Sequence, residues 1–154
     1  MKKRLCMIMA LTAALTGIFA NSVSAKDMAP NTEDKPFSIY LELASGGTGE
    51  TEWRNKIDKS STYIFLNDAP SDYTKCDVLG GIGDWDNNDN IHSISTETYG
   101  GKAVRVNLGK WRIRQTVGEH GKNKARIRFY RDLQNGVIAG YWSPDCAGNY
   151  PSVN

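Results

Sequence analysis

The sequence predicts an all-β fold: a single antiparallel β-sandwich, or a small barrel, of about eight or nine short strands. Three observations support this prediction. Short apolar stretches recur along the chain, turn-forming residues separate them, and apolar residues never repeat at helical spacing over a long stretch. Residues 37–43 show the pattern best, because every second residue is apolar, as in a strand with one buried face.

The predicted strands follow one another between clear turn signals. The first ends at the glycine-rich residues 44–49, and later breaks fall at residues rich in Gly, Asn, Asp and Pro, such as 83–90 and 118–123. In chain order the strands are expected at residues 37–43, 51–57, 62–66, 78–82, 91–94, 103–108, 111–117, 125–130 and 137–142. All five prolines lie outside the strand centres, which agrees with these positions.

The 154 residues form one folded domain behind an export signal. Residues 1–25 have the three parts of a secretory signal peptide: a basic start, an uncharged apolar run and small residues before the expected cut at Lys26. Residues 26–36 are polar and are expected to form a flexible arm, and residues 37–154 form the β domain. The mature protein is therefore predicted to be secreted and soluble, without a transmembrane span, and loosely wall-associated at most.

Charge limits the choice of partner. Three of the 19 basic residues lie in the signal peptide, which leaves 16 basic and 17 acidic residues in the mature chain. Nucleic acid is therefore not the expected partner. The charge is unevenly spread, since residues 26–101 carry an acidic excess and residues 102–154 a basic one.

Part of the basic excess forms an arginine ladder. By strand alternation Arg112 and Arg114 share a face, as do Arg126 and Arg128. If residues 118–123 form a hairpin connection, the four arginines share one outward face. Like charges on adjacent strands repel, so the ladder is predicted to bind an anionic envelope polymer or an acidic protein surface. The alternative is an ordinary solvated face that acidic side chains neutralise.

The turn at residues 84–90 is rich in Asp and Asn. Read from Asp86, it approaches the spacing of a calcium loop, but Ile91 stands where the sharp turn needs glycine. Asp and Asn also dominate ordinary turns, and we assign no metal ligands and expect no cofactor. Trp85 lies within this turn and is expected to be exposed, so it is a candidate ligand-contact residue.

Two cysteines remain after the signal peptide, Cys76 and Cys146. An even number in an exported chain favours a disulfide, and here only one pairing is possible. The alternative is two buried thiols.

Catalytic signals are weak. The chain has two histidines, and Glu119 with His120 resembles what a small ribonuclease uses as base and acid. That pair is predicted at an exposed hairpin tip, and the chain contains no recognised hydrolase, phosphate-loop or dinucleotide motif. A non-catalytic protein is therefore favoured.

Two segments resemble a known family. Residues 54–63 fit R-x-K-x-D-x-S-S-x-Y, and residues 140–145, followed by Gly148, fit G-x-W-S-P-D-x-x-G. Both resemble segments of small exported proteins of Gram-positive bacteria, a family of unknown function. The resemblance implies export and a single domain, and it supplies no active-site residue. Arg54 and Asp145, one from each segment, are candidates for an ion pair.

These observations favour an exported β-sandwich that acts as a non-catalytic binding module at the cell envelope, with a basic sheet face. The alternatives are a small secreted hydrolase of ribonuclease type and a bacteriocin-like secreted toxin.

Overall fold

A computed structural model describes residues 28–43 and 46–154 of the chain. The predicted signal peptide, residues 1–25, lies outside the described residues, as do the first two residues of the predicted arm. Nearly all regular structure is β-strand, arranged in two sheets, which confirms the predicted fold class. Within the described part of the chain, no helix has the length and apolarity needed to cross a membrane.

The eleven strands of the described residues form two sheets, and strands that follow one another in the chain often belong to different sheets. Sheet A has the order β1-β10-β4-β8-β11, and sheet B has the order β2-β9-β5-β6, with β3 paired to β9 and β7 paired to β5. The strands are β1 (Lys35–Leu41), β2 (Thr48–Glu50), β3 (Arg54–Asn55), β4 (Thr62–Asp68), β5 (Tyr73–Ile82), β6 (His92–Thr96), β7 (Val104–Asn107), β8 (Gly109–Ile113), β9 (Lys124–Tyr130), β10 (Gly136–Ser143) and β11 (Ser152–Val153).

In sheet A, strand β10 lies between β1 and β4 and pairs antiparallel with both. Its residues alternate: Ile138 and Trp142 are buried, whereas Val137 and Tyr141 are exposed. This is the pattern expected of a strand with one face in the core and one in solvent. The C-terminal strand β11 is the exception in direction, because it runs parallel to β8.

In sheet B, the ten-residue strand β5 is the centre. It pairs with β9 along one edge, and β7 and β6 pair with successive halves of the other edge. The core lies between the two sheets, where Ile64 of sheet A and Val78 and Ile127 of sheet B are fully buried. Phe37 stacks on Phe129 with ring centroids 5.0 Å apart.

The structure differs from the predicted strands where polar residues are buried. Strand β5 begins at Tyr73, five residues before the predicted start, and includes the buried Asp77. The predicted strand at 51–57 is reduced to the two residues of β3, since the chain turns inward there and buries Arg54 and Lys56. A period-two pattern of apolar residues does not reveal either feature, because charged side chains occupy the buried positions.

Candidate functional site

The four arginines of the predicted ladder do not share a face. Strand β8, with Arg112, belongs to sheet A, and strand β9, with Arg126 and Arg128, belongs to sheet B. Residues 118–123 carry the chain from one sheet to the other and do not join paired strands. The prediction of one continuous ladder is therefore wrong, because the connection that resembled a hairpin crosses between the sheets.

The two arginines of β9 are neutralised within the fold. Arg128 binds the buried carboxylate of Asp77 through two nitrogens, at 3.1 and 2.6 Å. This hydrogen bonding raises the pKa of Arg128, and the charge attraction of Asp77 adds to it. Arg126 lies 2.5 Å from Glu50, and its guanidinium is 4.4 Å from the ring centroid of Trp53. On sheet B the alternative reading, a face neutralised by acidic side chains, therefore describes the structure.

The basic residues on and just after β8 lack carboxylate partners in the described part of the chain. Lys110, Arg112 and Arg114 form no ion pair with any residue that the structure describes. The Nε atom of Arg112 is shielded from solvent and has no hydrogen-bond partner, as is also true of Arg126 Nε on sheet B. Arg114 lies just beyond the strand, 4.1 Å above the ring of Tyr99. The arginines of the predicted ladder that lack a carboxylate partner are thus Arg112, on β8, and Arg114, one residue past its end.

Aromatic side chains lie beside these cations on the outer face of sheet A. The pairing register places Tyr141, Phe65 and Lys110 side by side on three adjacent strands. The rings of Tyr141 and Phe65 are 6.3 Å apart, and the ammonium of Lys110 is 5.6 Å from the Phe65 ring. Tyr63 lies opposite Arg112 in the same register. We call these five residues the aromatic–cationic face.

Tyr63 is the most enclosed member of the aromatic–cationic face. Its ring lies 4.8 Å from that of Tyr150, and burial raises its pKa to about 12. The phenol therefore stays protonated at any physiological pH. Phe65 and Tyr141 were not identified as surface residues from the sequence, although each lies between buried neighbours in its strand.

The Asp- and Asn-rich turn binds a lysine ammonium group of the protein itself. The ammonium of Lys124, whose side chain is fully buried, lies 2.6 Å from Asn55 Oδ1, 2.9 Å from the carbonyl oxygen of Asn87 and 2.8 Å from Asn88 Oδ1. Burial lowers the pKa of Lys124. Trp85 is half-buried rather than exposed as expected, and its carbonyl accepts a 2.8 Å hydrogen bond from Asn55 Nδ2. Nowhere in residues 28–43 and 46–154 do three His, Cys, Asp or Glu side chains cluster closely enough to hold a metal ion.

His120 has a different acidic partner from the one predicted. Its Nδ1 lies 2.6 Å from Oε2 of Glu97, and Glu119 next to it is exposed. Glu97 is 3% exposed and also binds the ammonium of Lys122 at 2.7 Å and the hydroxyl of Thr116 at 2.8 Å. Burial alone raises the pKa of Glu97, but hydrogen bonds from Lys122, Thr116 and other donors outweigh it and lower the pKa to about 2.

Acid is expected to weaken this cluster. Because the pKa of Glu97 falls from 4.5 to about 2 on folding, its stabilising effect is present above pH 4.5 and is lost as the pH falls towards 2. Glu97→Gln should lower stability at neutral pH and flatten the pH dependence across this window. Urea unfolding at several pH values tests this, with the exposed Glu119→Gln as the matched control. Equal pH dependence in Glu97→Gln and the wild-type protein would contradict the assignment.

The two family-like segments meet in one buried polar cluster. The ammonium of Lys56 lies 2.5 Å from Asp145 Oδ1, and both side chains are fully buried. Asp145 also accepts hydrogen bonds from the backbone N–H groups of Asn31 at 2.6 Å and Ile57 at 3.2 Å. Burial raises the pKa of Asp145, and the charge of Lys56 opposes this rise.

Arg54 completes the cluster without pairing directly with Asp145. It donates hydrogen bonds to the carbonyl oxygen of Trp142 and to Asn31 Oδ1, both at 2.9 Å, and its guanidinium lies 5.3 Å from the centroid of the Trp142 ring. The candidate ion pair between Arg54 and Asp145 does not form, and Lys56 is the cationic partner of Asp145. The cluster also holds Asn31 of the predicted arm.

The structure does not contain the predicted disulfide. Cys76 and Cys146 are free thiols. Cys76 is fully buried in β5, where burial raises its pKa far above the ordinary value. Cys146 follows β10, where its N–H donates to Ser60 Oγ at 2.9 Å and its Sγ lies 3.3 Å from the carbonyl oxygen of Gly148. One cysteine thus belongs to the apolar core and the other to the polar C-terminal loop.

Comparison with known proteins gives one match. The sequence profile of a family described as "Protein of unknown function (DUF2712)" matches residues 21–146. No curated protein and no solved structure matches the chain.

Proposed function

The chain belongs to this family of unknown function, and we propose that it is an exported, non-catalytic protein that binds an anionic polymer of the cell envelope through the aromatic–cationic face of sheet A. The basic start, apolar run and small-residue end of residues 1–25 support export.

The observation that carries this proposal is the contrast between the two sheets. On sheet B each arginine of β9 has its own carboxylate, at 2.5 to 2.6 Å. On sheet A, Lys110 and Arg112 have no carboxylate partner among the described residues. Two cations without carboxylate partners on one face attract an anionic ligand by charge complementarity.

The neighbouring rings favour a polymer over a small ion. Tyr141, Phe65 and Lys110 occupy adjacent strands, which are about 4.8 Å apart in a sheet. A row of this kind presents ring surface to the apolar parts of an extended ligand and charge to its anionic groups. Arg112 suits phosphate or carboxylate, because a guanidinium can bind either with two parallel hydrogen bonds.

Charge reversal on the aromatic–cationic face tests the proposal. The double variant Lys110→Glu/Arg112→Glu is expected to bind isolated cell envelopes at least about tenfold more weakly than the wild-type protein, because each lost contact is worth about 1 kcal/mol. The measurement is sedimentation of purified protein with envelopes at low salt, followed by a high-salt wash. The wash, at about 1 M salt, should release the wild-type protein, since the Debye length is then only about 3 Å and surface charge contacts are screened.

The matched control is Lys75→Glu/Lys102→Glu, which makes the same change in net charge on exposed residues away from this face. It should bind nearly as well as the wild-type protein. Equal loss in both double variants would show that net charge alone drives binding. Wild-type protein that stays wholly in solution at low salt would contradict envelope binding itself.

A further inference from the structure

The half-buried Trp85 borders a cleft of about 240 Å³, separate in its residues from the aromatic–cationic face. Asp58 and Lys59 line one side of it, and the glycine-containing turn with Gly118 and Gly121 lines another. We propose that this cleft binds a single hydroxylated ring of monosaccharide size.

The wall that carries Trp85 is fixed before any ligand arrives. Asn55 binds the carbonyl of Trp85, and Lys124 binds the carbonyl of Asn87 two residues later. Asn123 holds the start of the same turn through Gly83, donating to its carbonyl at 2.6 Å and accepting from its N–H at 3.0 Å. The backbone of the turn that carries Trp85 is therefore held in place, which lowers the entropic cost of ordering this wall on binding.

The opposite wall is kept open by glycine. A Cβ atom at Gly118 would lie 3.2 Å from the carbonyl oxygen of Asp58, closer than an ordinary contact. Gly121 has a φ of +70°, in the left-handed region that glycine adopts without strain. Gly118 lets the turn approach Asp58 closely, and neither glycine places a side chain in the cleft.

The polar groups of the cleft favour a hydroxylated ligand. Within the described part of the chain, neither the indole N–H of Trp85 nor the ammonium of Lys59 has a hydrogen-bond or ion-pair partner, so two donors are available. The side chain of Asp58 is 36% exposed; its Oδ1 already accepts from Lys56 at 3.1 Å and from the N–H and hydroxyl of Ser60, at 2.8 and 2.5 Å, so Oδ2 is the oxygen that can accept from a ligand. Hydroxyl groups pair with donors and acceptors alike, and the apolar face of a sugar ring fits against an indole.

Size and charge separate this ligand class from the alternatives. A cleft of about 240 Å³ is below the range of about 300–1,000 Å³ that drug-sized ligands occupy, so one ring fits better than a longer ligand. Two of the three lysines that line it, Lys56 and Lys122, are already paired with carboxylates at 2.5 and 2.7 Å. The cleft therefore lacks the surplus positive charge that an anion site requires.

The test is a titration followed by NMR. Glucose and N-acetylglucosamine are the probes, and the indole N–H signal of Trp85 is assigned from its loss in the variant Trp85→Phe. We expect a saturable shift of this signal by at least one probe, with a dissociation constant in the millimolar range. Trp85→Ala should weaken binding at least about tenfold and Lys59→Ala several-fold, as measured by calorimetry.

Trp53→Phe is the matched control, since that ring lies under Arg126 and does not line the cleft. It should bind the probe as the wild-type protein does. Lys59→Ala alters an exposed side chain, so it reports on binding even if Trp85→Ala perturbs the turn. No saturable shift with either probe, or equal binding by wild-type protein and Lys59→Ala, would overturn the proposal. Such a failure leaves the envelope test unaffected, because none of the residues changed in that test lines the cleft.

Discussion

Replacing Lys56 by methionine is expected to lower the free energy of unfolding by about 3–5 kcal/mol, the cost of breaking a buried ion pair by removing one partner. Lys56 and Asp145 are fully buried and 2.5 Å apart. Methionine fills a similar volume but leaves the carboxylate of Asp145 without its counter-charge. Denaturant unfolding of the purified variant measures the effect.

Lys35→Met is the matched control for this prediction. Lys35 lies 2.7 Å from Glu33, but both side chains are exposed, so this pair should contribute at most about 1 kcal/mol. If Lys56→Met destabilises the protein no more than Lys35→Met, the polar cluster does not hold the two family-like segments together. A large difference would assign the buried cluster of Arg54, Lys56 and Asp145 a structural role.

Gly140→Ala is expected to destabilise the protein by about 3 kcal/mol. A Cβ atom at this position would lie 2.0 Å from the backbone carbonyl oxygen of Phe65 and 3.1 Å from the ring of Phe37. The first contact is with backbone, so relief requires β10 and β4 to move apart next to the register shift at Ala139 and Gly140. Thermal and denaturant unfolding measure the loss.

Gly100→Ala separates this steric effect from backbone strain. Gly100 has a φ of +82° and open space around its Cα, so alanine there should cost about 1 kcal/mol from conformation alone. Equal destabilisation by the two substitutions would contradict the close approach at Gly140. Because Tyr141 follows Gly140 and stacks on Phe65, the Gly140 variant should also weaken envelope binding.

The β-strands could be predicted because their signal is local. Alternation at residues 37–43 places Phe37 and Leu41 in the core, as found. Strand β5 was predicted only in part, since Asp77 is a charged residue at a buried position. Its burial depends on Arg128, which lies 51 positions later in the chain, and no local pattern contains that information.

The candidate site was predicted less completely than the fold. Arg112 was selected correctly as a basic residue on a strand, but its aromatic neighbours Phe65 and Tyr141 were not, since they come from two distant strands. The arginines of β9 were predicted to share a face with Arg112. A short connection between two strands of one sheet looks the same in sequence as a connection that crosses to the other sheet. The buried cluster around Lys56 was hidden for a similar reason, because its partner Asp145 is 89 positions away.

The amino-acid sequence by itself determined the all-β class and the approximate position of most strands, because period-two alternation and turn chemistry act over a few neighbouring residues. It also determined the number of charges available to each half of the chain. Only the tertiary structure decided which strands share a sheet, and therefore which arginines meet a carboxylate and which face solvent beside aromatic rings. The physical reason is that burial and electrostatic pairing depend on distances in space, and strand pairing brings together residues that lie tens of positions apart in the chain.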